Sequence, residues 1–168
     1  ASSTLYGGTI NQFDVTFRKV GISPVFVNIG DHDAIRRAIT PKTKCIFAET
    51  LGNPKIDVLD IEAVAAIAHE NGIPLLVDNT FASPYCCRPI DWGADIVLHS
   101  ATKYIGGHSD VIAGVCLGAR ELLDQVRVLR TIFGTMAGPH TGWLLMRSLV
   151  TLKLRMTAEM KTARHVAE

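Results

Sequence analysis

ADIVLHSATKYIGGHSDVIAG, residues 94 to 114, is the stretch from which the rest of the chain is best read. Asp95 to His99 is a short apolar run ending in polar residues and Val111 to Cys116 is a second one, so the pattern predicts a loop linking two buried strands. The loop carries one lysine, Lys103. Ser100 and Thr102 precede it with one small residue between them, and Gly106 and Gly107 follow, where a backbone can approach a ligand closely. A lysine amine held neutral by desolvation or by a neighbouring cation is a nucleophile toward carbonyl carbon and forms Schiff bases. The flanking hydroxyls can hold a phosphate. From the loop alone, a solvated surface lysine is the plainer reading.

The next strand upstream changes that balance. Ile73 to Asn79, IPLLVDN, is a continuous apolar run that ends in an acid. An aspartate at the end of a buried strand needs a cation or a set of donors beside it. The protonated ring nitrogen of pyridoxal phosphate is one partner that fits.

Further out, apolar runs and helical patterns alternate. Thr9 is placed to cap a helix through Phe13, Phe17 and Val20, ended by Gly21. Ser23 to Ile29 reads as a strand. Asp31 or Asp33 caps a short helix carrying Ile35, Ala38 and Ile39, which Pro41 stops. Lys44 to Glu49 is another strand, 52 to 60 is a loop, and Asp60 opens an amphipathic helix to about Asn71, closed by Gly72. Residues 74 to 78, 95 to 99 and 111 to 117 read as strands, and 79 to 93 as irregular. Beyond Gly118 the chain is helical: Leu122, Leu123, Val126, Leu129 and Ile132 line one face of 120 to 133. From Pro139 a long pattern runs through Trp143, Leu145, Leu149, Leu152 and Met156. The fold class is therefore α/β, a mostly parallel sheet with helices on both faces. Ligands gather at the carboxyl ends of strands in such sheets. Glu49, Asn53, Asp78, Ser100, Thr102 and Lys103 all fall there.

Composition sets the outer limits. The 168 residues are 48% hydrophobic and 20% charged, the balance of an ordinary globular chain with a sizeable core. A net charge of +1 with no basic cluster gives no footprint for nucleic acid. No apolar run approaches the roughly 18 residues of a membrane span, and the start ASSTLYGG lacks the features of a signal peptide. A cytoplasmic protein without membrane partners is expected. Cys45, Cys86, Cys87 and Cys116 form no C-x-x-C pair and read as buried free thiols. His108 and Asp110 lack a third ligand, so no metal is expected. The remaining histidines considered, His32, His69, His140 and His165, read as surface or helix-face residues. No nucleotide-binding glycine motif occurs.

VDNTFASPY (77 to 85) followed by HSATKYIGGHSD (99 to 110), with LYGGT (5 to 9) ahead of them, resembles the Cys/Met-metabolism family of pyridoxal-phosphate enzymes. The resemblance extends from LYGGT to LLMRSLVTLKLRM (144 to 156). It implies the large domain of a fold-type I, aspartate aminotransferase-like enzyme, with residues 1 to 168 as a single cofactor-binding domain. Relative to the family, an N-terminal segment with a phosphate-cupping turn and a C-terminal domain with a carboxylate-binding arginine are absent.

The same resemblance implies roles. Lys103 matches the lysine that links to pyridoxal phosphate and shuttles protons, and Asp78 the aspartate beside the pyridine nitrogen. Ser100 and Thr102 match phosphate-binding hydroxyls, and Tyr6 a tyrosine stacked over the ring that also takes part in proton transfer. Asn53 matches an asparagine near the phenolic oxygen, while Glu49 is read as a support for its neighbours.

For function, the resemblance implies trans-sulfuration chemistry on a small amino-acid substrate by a homo-oligomer, a tetramer in the complete enzyme. The reading preferred is γ-replacement on an O-acylated homoserine by sulfide or cysteine, as in methionine biosynthesis. ETLGNPKIDVLDIEAVAAIAH (49 to 69) leans toward O-acetylhomoserine sulfhydrylase, and GGHSDVIAG (106 to 114) toward the cystathionine enzymes and methionine γ-lyase. Gly8, where methionine γ-lyases usually show cysteine, counts against that member. The alternatives are a γ-elimination lyase and a non-catalytic domain that binds cofactor poorly.

Overall fold

Three parallel strands end side by side and so set the geometry of everything that follows. The computed structural model describes residues 1–168 and contains a four-stranded sheet in the order β1 (Ile46–Glu49), β2 (Leu75–Asp78), β3 (Ile96–Ser100), β4 (Gly114–Gly118). β1, β2 and β3 are parallel, with Glu49 opposite Asp78 and Asp78 opposite Leu98. β4 runs antiparallel to β3 and pairs Ser100 with Gly114. The segment between β3 and β4 carries no helix to form a crossover, and parallel strands need one. The last strand therefore turns back on its neighbour. β4 also lies at the sheet edge and is half exposed, which corrects the expectation of a buried strand starting at residue 111.

Alternation along the strands sorts the two faces. Ile46, Ala48, Leu75, Val77 and Val97 share one face and form a single apolar cluster with Ile61, Val64, Ala65, Ile67 and Ala68 of α3 (Ile61–Glu70) and Ile35 of α2 (His32–Ala38). Each fully buried aliphatic side chain contributes about 1.5–3 kcal/mol relative to exposure. The Asp60 carboxylate accepts from Ala63 N at 3.0 Å and Asp31 from Ala34 N at 2.8 Å, so both helices begin at aspartate caps. On the opposite face the Phe13 ring meets Phe47 edge-on at 4.9 Å. Helices thus cover both faces.

Three segments depart from the expected pattern. The first helix, α1 (Gly7–Asn11), begins before Thr9 with Tyr6 at its cap and continues as a π-helical turn over Gln12–Phe17. Residues 23 to 29 form no strand; Val27 makes one parallel bridge to Ser2. The pattern after Pro139 is two helices, α6 (Pro139–Val150) and α7 (Leu152–Ala167), broken at Thr151. Between β2 and β3 lie a short helix, α4 (Ser83–Cys86), and a 3-10 turn over Pro89–Trp92.

The helix expected over 120 to 133 is present as α5 (Arg120–Phe133), but no residue of it is buried, and Ile132 and Phe133 are 70% and 74% exposed. Its main packing partner among the elements is the edge strand β4. No helix is long and apolar enough to cross a membrane. The four cysteines are free, but Cys45 and Cys86 are exposed and Cys87 and Cys116 half-buried, so the expectation of buried thiols does not hold.

Candidate active site

The carboxyl edge of β1–β3 brings two acids together. Glu49 and Asp78 are register partners that end adjacent parallel strands, and both lie on the sheet face away from α3. Glu49 is buried. Burial pushes its carboxyl above the ordinary carboxylate range, hydrogen bonds from the Tyr6 and Asn53 backbone pull it back, and the Asp78 charge adds to the rise. Tyr6 N reaches Glu49 Oε1 at 2.7 Å. One side chain thus anchors two of the residues singled out from the sequence, the cap of α1 and the turn after β1. Glu49 was expected only to support its neighbours, and the structure shows how it does so.

Asp78 is fixed by a residue the sequence reading passed over. Thr80 donates to Asp78 Oδ1 from its amide, at 2.9 Å, and from its hydroxyl, and that hydroxyl accepts from Ser100 N at 2.7 Å. Asp78 Oδ2 is left without a hydrogen-bond partner in the chain. The signal was available: a threonine two residues after an aspartate at a strand end is a frequent local turn. Next to it, Asn79 is fully buried, accepts from Thr50 Oγ1 at 2.7 Å and donates to Cys87 O at 2.8 Å, which ties down the segment after β2.

The lysine loop leaves the same edge. Lys103 N donates to Ser100 O at 3.1 Å and Lys103 O accepts from Gly107 N at 2.7 Å, so the backbone is a closed turn while the side chain stands exposed. The Ser100 hydroxyl has no partner in the chain. The Thr102 hydroxyl is engaged on both sides, donating to Ala113 O at 3.3 Å and accepting from Ala113 N at 3.1 Å. A hydroxyl carries one proton, so Thr102 gives that proton to a phosphate only by releasing Ala113.

Tyr6 is 57% exposed, and a Cβ at Gly8 would stand 2.6 Å from its Cε1, so the glycine is what admits the ring in this position. His108 Nδ1 lies 2.7 Å from Gly106 O, a bond within its own loop. His69, at the end of α3, meets Asp95 Oδ2 at 3.0 Å. His99 is buried with Nδ1 unpartnered; burial holds its imidazole below the ordinary histidine range, against the pull of the nearby Asp78.

The donor set has a definite chemical preference. Two carboxylates side by side, one with a free oxygen, attract a cation, and a serine hydroxyl and an exposed lysine on the next loop can take an anion and a carbonyl carbon. Pyridoxal phosphate combines these three features: a ring nitrogen that can carry a proton, a phosphate and an aldehyde. The residues present fit it.

The role of Glu49 leads to a measurable outcome. Glu49→Ala leaves the Tyr6 amide without its acceptor, at a cost of about 1–3 kcal/mol if it stays dry. Glu49→Gln keeps an acceptor and removes the charge. Because the folded-state carboxyl titrates above its unfolded value, its favourable contribution is complete below the ordinary carboxylate range and is lost as pH rises through the folded value. Glu49→Gln is therefore expected to gain on wild type in melting temperature as pH rises above the ordinary carboxylate range, and to level off once the folded carboxyl is ionised. A margin constant with pH would remove the charge from the account.

A family model described as Cys/Met metabolism PLP-dependent enzyme matches residues 1–168. A cystathionine beta-lyase of Lactococcus lactis subsp. cremoris is 46% identical over 165 residues, 98% of this chain and 43% of that protein. A Bacillus subtilis protein named cystathionine gamma-synthase/O-acetylhomoserine (thiol)-lyase is 43% identical over 167 residues, 99% of this chain and 45% of its own. The crystal structure of cystathionine gamma-lyase from Lactobacillus plantarum complexed with L-serine superposes with a TM-score of 0.94 at 41% identity, over 97% of this chain and 43% of that one. The chain spans a little under half the length of these proteins. With the family model matched from end to end and the fold shared with a solved relative, the chain belongs to the Cys/Met metabolism family of PLP-dependent enzymes.

Proposed function

We propose that the protein containing this chain binds pyridoxal phosphate at the carboxyl edge of β1–β3 and uses it to replace the γ substituent of an O-acylated homoserine with sulfide or cysteine. The observation that carries the cofactor reading is the Glu49 and Asp78 pair, two carboxylates in register at the edge from which the Lys103 loop departs. Pyridoxal phosphate, when bound, supplies an electron sink for the substrate α carbon. The chain's own residues do the rest. Asp78 Oδ2 would hold the proton of the ring nitrogen, with Oδ1 kept in place by Thr80. Lys103 Nζ would hold the aldehyde and would move protons at the substrate carbons. Ser100, and Thr102 once it releases Ala113, would take the phosphate, while Tyr6 and Asn53 would line the ring. We place residues 1–168 in the cofactor-binding domain of a homo-oligomer, a tetramer when complete.

The support for replacement is the kinship with the synthase and thiol-lyase of Bacillus subtilis together with the 49 to 69 segment. A second reading, elimination, is favoured by the cystathionine beta-lyase at 46% identity and by the γ-lyase fold relative. The complete protein separates them when supplied with O-acetylhomoserine or O-succinylhomoserine, each with sulfide, with cysteine, or alone. A thioether or thiol amino-acid product that requires the sulfur donor supports replacement; oxo-acid release at an equal rate without any donor supports elimination. No aldimine band retained after incubation with pyridoxal phosphate and removal of the free cofactor would sink the cofactor reading altogether.

A further inference from the structure

The glycine-rich half of the lysine loop is held from a distance. Arg155, half-buried on α7, donates through Nη1 to Tyr104 O at 2.6 Å and through Nη2 to Ile105 O at 3.4 Å. The same guanidinium is aimed from behind: Nη2 donates to Ser148 O at 3.0 Å and Nε to Thr151 Oγ1 at 3.1 Å. These acceptors are carbonyls and a hydroxyl. No carboxylate pairs with the group, so a full charge serves three backbone carbonyls and one hydroxyl. Its planar fork reaches both sides of the junction at once, which a single ammonium cannot.

The two glycines after the lysine have separate reasons. A Cβ at Gly106 would stand 2.8 Å from Ala101 O and 2.7 Å from Val111 Cγ1. At Gly107, where φ is +69°, it would fall 2.1 Å from Arg155 Nη1. Gly107 thus leaves room for the guanidinium. Its amide also donates to Lys103 O, which places the lysine backbone one hydrogen bond away from the clamped residues.

We propose that Arg155 is the positioning residue of the lysine loop, holding the carbonyls of Tyr104 and Ile105 so that Lys103 is presented in one fixed geometry toward the aldehyde of the cofactor. The inference rests on the role given to Lys103 above and adds what holds it. Misplacing a reacting group by about 1 Å can cost on the order of 100-fold.

The test uses the complete protein with Arg155→Lys, which keeps the charge and stem and loses the fork. Three readouts are expected to move together. In the apo protein, the Gly106 and Gly107 amides exchange hydrogen faster than in wild type. On mixing with pyridoxal phosphate, the borohydride-trapped adduct on Lys103 forms about 10- to 100-fold more slowly. In steady state kcat falls by a like factor while KM stays within about twofold, the split expected of a group that positions a reactant. Thr151→Val, which is nearly isosteric and removes the Nε anchor together with the hydroxyl's own bond to Ser148 O, gives the same signature at about fivefold and serves if the arginine variant does not accumulate. Wild-type exchange at 106 and 107, or adduct formation on Lys103 at the wild-type rate in both variants, overturns the positioning role alone. A wild-type adduct on another lysine overturns the site reading and this role with it.

Discussion

Lys103→Ala in the complete protein is expected to remove both covalent attachment of pyridoxal phosphate and turnover, with kcat down on the order of 10⁴-fold or more. Lys103 is the one lysine in the loop that follows β3, and its backbone is closed into a turn by bonds to Ser100 and Gly107. No other side chain there can form the link. The truncation should leave the fold in place, since the side chain is exposed and makes no hydrogen bond that the rest of the chain needs. Borohydride reduction followed by peptide mass spectrometry reads the outcome directly. An adduct on Lys42, Lys44 or Lys153 in the wild-type protein would end the assignment.

Asp78→Asn is the second large effect expected. The amide is nearly isosteric, and its oxygen can still accept from the Thr80 amide and hydroxyl, so the link to Ser100 survives. What changes is the free atom: Oδ2, an acceptor with negative charge, becomes an NH₂ donor that cannot hold a proton on a pyridine nitrogen. Exchange of the substrate α proton should slow about 10²- to 10³-fold, equivalent to roughly 3–4 kcal/mol of lost transition-state stabilisation, and by much more than cofactor affinity falls. Glu49 provides an internal control. With the neighbouring charge gone, one cause of its raised carboxyl disappears, and the pH dependence described for Glu49 should soften. Equal exchange rates in deuterated buffer for wild type and variant would remove Asp78 from the role.

The strand ends that carry the candidate site were more legible in the sequence than the supports beneath them. Strand ends are readable because an apolar run that stops at a polar residue marks the sheet edge, and Glu49, Asp78 and Ser100 do lie on one edge. Helix starts at Asp31 and Asp60 were readable because capping is local. The direction of β4 was not singled out, although a connection without a helix could have shown it. Residues 23 to 29 carry strand composition but make a single bridge, and no local signal reports that. Thr80 needed only a turn rule. Arg155 was beyond reach, because its acceptors lie some 50 positions upstream and only the folded chain brings them to it.

That separation also has a meaning in time. Tyr104 and Arg155 are 51 positions apart, and chains are made at about 5–20 residues per second, so a ribosome exposes the lysine loop roughly 3–10 seconds before the arginine is added. During that interval the strand edge, with its paired acids and its threonine, can already be assembled from contacts among residues 46 to 100. The amine-bearing turn still lacks its lock. On the roles proposed for Lys103 and Arg155, maturation of this site is ordered by the direction of synthesis: the two acids come first, the lysine turn stands loose above them, and α7, made later, brings the turn to rest.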